Sequence, residues 1–193
     1  MPKYSNIVSR SKIFSFILIV LSTNLIFSNL GASTGVSIGS GFGAANIVPL
    51  RLAFQQSFDK HWNQKSDWPI GAHWEASIYN MNGHRGLLPN SHKQLNAASL
   101  ALALRFERLQ ETMLGWPYLE LGLGLSGLSR KEIGGRKLGM HILFEDKFGL
   151  GLRFGEKRQF DFSYKALHFS NAYLGSFNHG INLHMLILGY WFD

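Results

Sequence analysis

His168 and Ser170 stand two residues apart in the segment Phe160-Asp161-Phe162-Ser163-Tyr164-Lys165-Ala166-Leu167-His168-Phe169-Ser170-Asn171. On an extended chain, residues i and i+2 share a face with Cα atoms about 6–7 Å apart. An imidazole can span that gap to a hydroxyl and take its proton, which is the pairing of a nucleophile with its general base. Phe160, Phe162, Tyr164 and Ala166 have the same parity, so period two puts the pair on an apolar face. A polar pair belongs there only if it has work to do or stands above the hydrocarbon. The bland alternative is two ordinary polar residues at the end of a strand.

Asn182 offers a third member. It shares parity with Leu186, Leu188, Tyr190 and Phe192, and so does His184. If a hairpin closes through 171–179, Asn182 falls opposite His168, with Cβ atoms about 4.5–5.5 Å apart. The carboxamide oxygen could then accept the Nδ1–H of His168 and leave Nε2 free for the serine proton. Being neutral, Asn does not stabilise an imidazolium as a carboxylate would.

Strands must hold these groups in place. Leu119, Leu121, Leu123 and Leu125 alternate with Glu120, Gly122, Gly124 and Ser126. The same alternation runs through Leu50–Gln55, Ile70–Tyr79, Leu100–Glu107 and Phe148–Phe154, and it is the signature of strands with one apolar face. The other face is rich in Gly and ionisable residues, which suits the lumen of a barrel whose apolar face meets lipid. Eight strands are predicted: Ser33–Phe42, Ile47–Phe58, Trp68–Asn80, Leu95–Leu109, Trp116–Leu128, Leu138–Phe154, Gln159–Asn171 and Gly180–Phe192. The fold class is therefore all-β, an eight-stranded antiparallel transmembrane β-barrel over residues 34–193. His73, Glu75, Arg105, Glu107, Glu120, Arg153 and Asp161 are expected to pair inside it, because buried charges need partners.

Residues 1–33 read as a secretory signal peptide. A basic start with Lys3, Arg10 and Lys12 precedes the apolar run Ile13–Phe27, and small residues follow up to Ser33. The run is shorter than the roughly 20 residues of a spanning helix. The chain of 193 residues carries a formal charge of +7, but without the leader's three cations 16 basic residues face 12 acidic ones. That mild excess gives no case for nucleic acid. The chain has no Cys, which excludes a disulfide scaffold and Cys-based metal sites. Gly39-Ser40-Gly41-Phe42-Gly43-Ala44 mimics a dinucleotide loop, yet Asn46-Ile47-Val48-Pro49 cannot easily supply the helix that loop requires. No metal ligand spacing stands out among the eight His residues, and no cofactor is expected.

With both termini in the periplasm, Trp62, Trp68, Trp116 and Trp191 are expected near the periplasmic rim, where amphipathic rings favour an interface. The outer loops carry Arg85, Lys93, Arg130, Lys131, Arg136 and Lys137 against the single acid Glu132. This cluster is either a solvated surface or an attractor of anionic lipopolysaccharide.

His168-Phe169-Ser170-Asn171-Ala172, late in such a barrel and followed by Asn178-His179-Gly180, resembles the PagL lipid A 3-O-deacylases. The resemblance implies an outer-membrane esterase that removes the acyl chain at position 3 of lipid A. By the same match His168 is the general base, Ser170 the nucleophile, and Asn171 a critical residue that supports the oxyanion. The family's acid lies fourteen residues after the His, and Asn182 occupies that position here. Asp193, after the terminal aromatic Phe192, is a second departure. The rival readings are a non-enzymatic adhesin or structural barrel and an inactive family member. The serine–histidine pair separates the first of these, since an adhesin has no reason to keep it facing lipid. The expected substrate is lipid A within lipopolysaccharide. A homodimer is compatible with the sequence, which does not specify the oligomeric state.

Overall fold

A computed structural model of the chain describes residues 33–58, 61–83 and 92–192. The expected leader (except Ser33), Arg85 and Asp193 lie outside the described residues. Alternating apolar and polar residues drive strand formation throughout, and the strands close on themselves. They are β1 (Thr34–Gly43), β2 (Ile47–Ser57), β3 (Ile70–Gly83), β4 (Gln94–Glu107), β5 (Trp116–Leu128), β8 (Ile142–Phe154), β9 (Phe160–Ser170) and β10 (Ile181–Phe192). Each pairs antiparallel with its neighbours in the chain, and β1 pairs with β10 to complete an eight-stranded barrel. One extra hairpin, β6 (Glu132–Ile133) with β7 (Arg136–Lys137), sits between β5 and β8. It explains why the strand expected from Leu138 begins at Ile142: the intervening chain crosses the rim before it rejoins the wall.

The outward face is apolar over much of its area. Leu100, Leu102 and Leu123 are 62%, 62% and 70% exposed, with many similar residues around them. So large an exposed apolar surface fits contact with lipid rather than water. The Gly-rich segment 39–43 lies in β1 and opens no nucleotide-binding helix. At Gly41 a Cβ would come within 1.9 Å of the His184 carbonyl oxygen, so glycine there lets β1 close against β10.

An eight-stranded barrel is only wide enough inside for its own side chains. Here they form two layers. Toward the termini and across the middle of the wall, Glu75, Glu120, Glu145 and Asp161 face Arg51, Arg105, Lys147 and Lys165, four carboxylates against four cations. Glu75 is fully buried and receives Arg51 and Lys147, with Lys165 at 3.8 Å. Glu120 accepts from Arg105 Nη2 at 2.8 Å and Lys165 Nζ at 2.5 Å. Tyr118 Oη donates to Asp161 at 2.8 Å, and Tyr79 Oη donates to Glu145 at 3.1 Å. The expected lumen network is therefore present and larger than the sequence indicated, with Arg51, Glu145, Lys147 and Lys165 added.

The other half of the interior, at the rim opposite the termini (the distal rim), is apolar. Met81, Leu95, Leu143, Phe169, Ile181 and Leu183 are buried there, and Ile133 and Leu138 from the hairpin region cap them. Strands β9 and β10 thus turn apolar residues inward as well as outward at that end. Close packing of these side chains favours this over the polar lumen that strict alternation suggests.

Trp62, Trp68 and Trp116 lie at the end of the termini, exposed or half-exposed. Trp191 does not join them at the interface. It shares inward parity with Ile187 and is 3% exposed, edge-on to His73 at 5.8 Å and beneath the guanidiniums of Arg105 and Arg153. Its place in the strand decided its face, whatever the preference of its ring.

Glu75→Gln leaves three buried cations short of a shared partner, a change that costs about 3–5 kcal/mol in buried pairs. The variant should lose its folded, heat-modifiable gel band at a lower temperature in detergent. An unchanged melting temperature would show that the network does not hold the barrel.

Candidate active site

Four consecutive residues of β9 and the turn after it alternate between two jobs. His168 and Ser170 point outward, exposed and half-exposed, while Phe169 and Asn171 are buried. Phe169 meets the Tyr79 ring edge-on at 5.5 Å inside the apolar plug. This anchor lies between His168 and Ser170 and limits the freedom of the strand that carries them.

The register of β9 against β10 pairs His168 with Asn182. His168 Nδ1–H donates to Asn182 Oδ1 at 2.5 Å. An amide oxygen only accepts, so this contact assigns the imidazole proton to Nδ1 and leaves the Nε2 lone pair available. Gly180 lies against the same ring. Its φ is +57°, and a Cβ there would be 3.2 Å from His168 Cε1. Both the backbone and the crowding call for glycine.

Asn171 is 1% exposed and its side chain is fully engaged. Its Nδ2 donates to the carbonyls of Leu138 at 2.9 Å and Phe177 at 2.6 Å, and its Oδ1 accepts from the Tyr173 amide at 2.9 Å. Its own N–H donates to Asn178 Oδ1 at 3.0 Å. The carboxamide therefore ties the 171–180 loop to the chain beyond β7 and has no N–H left for a substrate oxygen. The hairpin region grips the same loop elsewhere. Arg136 Nε donates to the Gly180 carbonyl at 2.8 Å, Arg136 Nη2 donates to the His179 carbonyl, and the His179 amide donates to the Lys137 carbonyl at 3.2 Å. One of the six basic residues singled out from the sequence is thus a clasp rather than free surface charge. Lys137 lies 4.8 Å from the Phe177 ring centroid, and Arg130 contacts His92 at 3.2 Å.

Beside His168 the outward face is indented by a groove of about 380 Å³ lined by Asp146, Phe148, Ala166, His168, Asn182 and His184. Ala166 supplies the dent by being small. His184 is fixed at the lower side, hydrogen-bonded through Nδ1 to Tyr164 Oη at 2.6 Å and stacked on Phe42 at 5.4 Å. Among the described residues, no three His, Asp or Glu side chains are gathered to hold a metal ion.

Asp146 is the residue that sequence reasoning missed. It pairs with His168 across β8 and β9 as Asn182 does across β9 and β10. Among the described residues it is the one Asp, Glu, Lys or Arg on the outward face of the barrel strands. The signal was available: Asp146 continues the parity of Phe148, Leu150, Leu152 and Phe154 toward the distal rim. Only the strand pairing, however, sets it beside the histidine.

The model of the family described as lipid A 3-O-deacylase (PagL) matches residues 49–191. The protein is 28% identical over 171 residues to the lipid A deacylase PagL of Pseudomonas aeruginosa, an alignment spanning 88% of this chain and 92% of that one. Its fold is similar to the crystal structure of the outer membrane enzyme PagL, with a TM-score of 0.73, 26% identity, and coverage of 81% of this chain and 98% of the other. Sequence, barrel and outward-facing pair converge, and the chain belongs to the PagL family of lipid A 3-O-deacylases.

Proposed function

We propose that the protein is an outer-membrane hydrolase that removes the 3-O-linked acyl chain of lipid A, and that it does so as a serine esterase. The observation that carries the mechanism is the His168–Asn182 hydrogen bond beside Ser170 on the outward face. In the first half-reaction Ser170 Oγ attacks the ester carbonyl while His168 Nε2 takes its proton. The tetrahedral intermediate collapses, His168 returns the proton to the departing sugar oxygen, and the acyl group stays on Ser170. Water then attacks this acyl-enzyme with His168 again as base, which releases the fatty acid and restores the serine.

The placement of these groups supports a lipid substrate. A site open sideways at the distal rim meets an ester at the boundary between sugar and hydrocarbon without extracting the substrate from its leaflet. The groove over Ala166 runs down the apolar face, a path suited to an acyl chain. Basic residues on the distal loops suit the anionic headgroup. Asn171 serves this reading as the residue that holds the loop next to Ser170. Every group named comes from one chain, so the reading holds for a monomer and a homodimer alike.

Two substitutions test it, with lipid A from expressing cells read by mass spectrometry. Ser170→Ala should abolish loss of the 3-linked chain while the barrel still assembles; undiminished deacylation would refute the nucleophile. Asn182→Glu puts a charged acceptor on His168 Nδ1 and should keep or raise activity. A fall of more than about tenfold, equal to ~1.4 kcal/mol in the barrier, would mean that the site is tuned to the neutral amide.

A further inference from the structure

A lone charge on a lipid-facing surface is costly, by about 2–4 kcal/mol for Arg or Lys at the bilayer midplane, less for a carboxylate and less again toward the interface. Such a residue needs a local reason. Around Asp146, the neighbours on its own strand and face are Phe144 and Phe148, and the partner on β5 is Leu123, all apolar. The remaining side is His168 on β9, and residues directly opposite have Cβ atoms about 4.5–5.5 Å apart. His168 is therefore the polar group directly opposite Asp146.

Resting on the serine-esterase reading above, we infer that Asp146 is a positioning residue that supplies, from β8, the negative charge that Asn182 does not supply from β10. Asn182 sets the tautomer and orientation of the imidazole through Nδ1. Asp146 stabilises the positive charge that the ring acquires when it takes the serine proton. No contact shorter than the strand spacing is needed, because at a lipid boundary the effective dielectric is low and a unit charge is felt across several ångströms. The two jobs that a single carboxylate performs in a Ser-His-Asp arrangement are here divided between two strands.

The other groups near the ring leave this role open. From β9 itself come Ser170 and Tyr164, and from β10 Asn182 and His184, the last engaged with Tyr164. From the 171–180 loop come Gly180 and His179, and from the hairpin Arg136, whose guanidinium donates to the carbonyls of both. Lys147 and Lys165 point into the lumen toward Glu75 and Glu120. Asp146 is the only anion of the set on the outward face.

The test compares the parent, Asp146→Asn, Asn182→Glu and the double variant, each purified as a folded barrel and assayed on lipid A micelles. Asp146→Asn should lower kcat by about 10–100-fold and leave KM within about twofold of the parent. Asn182→Glu in the Asp146→Asn background should restore kcat, because it returns a carboxylate to the ring by the other strand. A loss of kcat that Asn182→Glu does not restore overturns the inference, as does a loss confined to KM. If the parent and Ser170→Ala are equally inert on lipid A, the serine-esterase reading fails first. If the parent is active and Asp146→Asn matches it, that reading stands and the role of Asp146 falls.

Discussion

A barrel of eight strands has no room inside for anything but its own side chains, and the chemistry of this protein follows from that constraint. Period two assigns each strand residue either to the packed interior or to the lipid surface, with no third option. A reactive group that must meet a substrate has to be on the outward face, among residues selected for hydrocarbon. His168, Ser170, Asn182 and Asp146 are such exceptions, and they cluster where β8, β9 and β10 adjoin at one end of the wall. Their concentration in one place is what marks a site, since isolated polar residues on an outward face would only weaken insertion.

The interior contributes by being rigid. Its charged half is balanced, with carboxylates and cations interleaved so that neither is left alone in a low dielectric. Its apolar half lies directly behind the candidate site, and Phe169 is driven into it between His168 and Ser170. The hairpin formed by β6 and β7 extends this support above the rim. Through Arg136 and the Leu138 carbonyl it holds both ends of the loop that borders Ser170. Loop residues thereby hold the segment that carries Ser170.

At such a boundary, charge is costly to keep and potent when kept. Asn182, a neutral amide, holds the His168 imidazole by a hydrogen bond without adding a charge to the face. The carboxylate that is retained stands on the opposite strand, one hydrogen-bonded row away. The same wall also carries a Tyr164–His184–Phe42 contact that stiffens the groove below the pair. Basic residues lie beyond the hydrocarbon, where they interact with water and anionic headgroups at little cost.

Alternation alone was enough to determine the barrel, the number of its strands, and the outward face of His168, Ser170 and Asn182, because side-chain direction in a strand depends on parity and nothing else. The fourteen-residue separation of His168 from Asn182 even set the register of one hairpin, since a closing turn of ten residues brings the two together. Identity misled where parity did not: the Trp191 ring looked like an interface group, and its odd position buried it. What the tertiary structure decided is what depends on non-neighbouring segments. The apolar plug, the clasp of the 131–138 segment on the loop, the engagement of Asn171 by the Leu138 carbonyl, and the juxtaposition of Asp146 with His168 all join residues whose separation no local period encodes. Pairing between β8 and β9 runs through a separate hairpin whose register is set by its own turn and by closure of the whole wall.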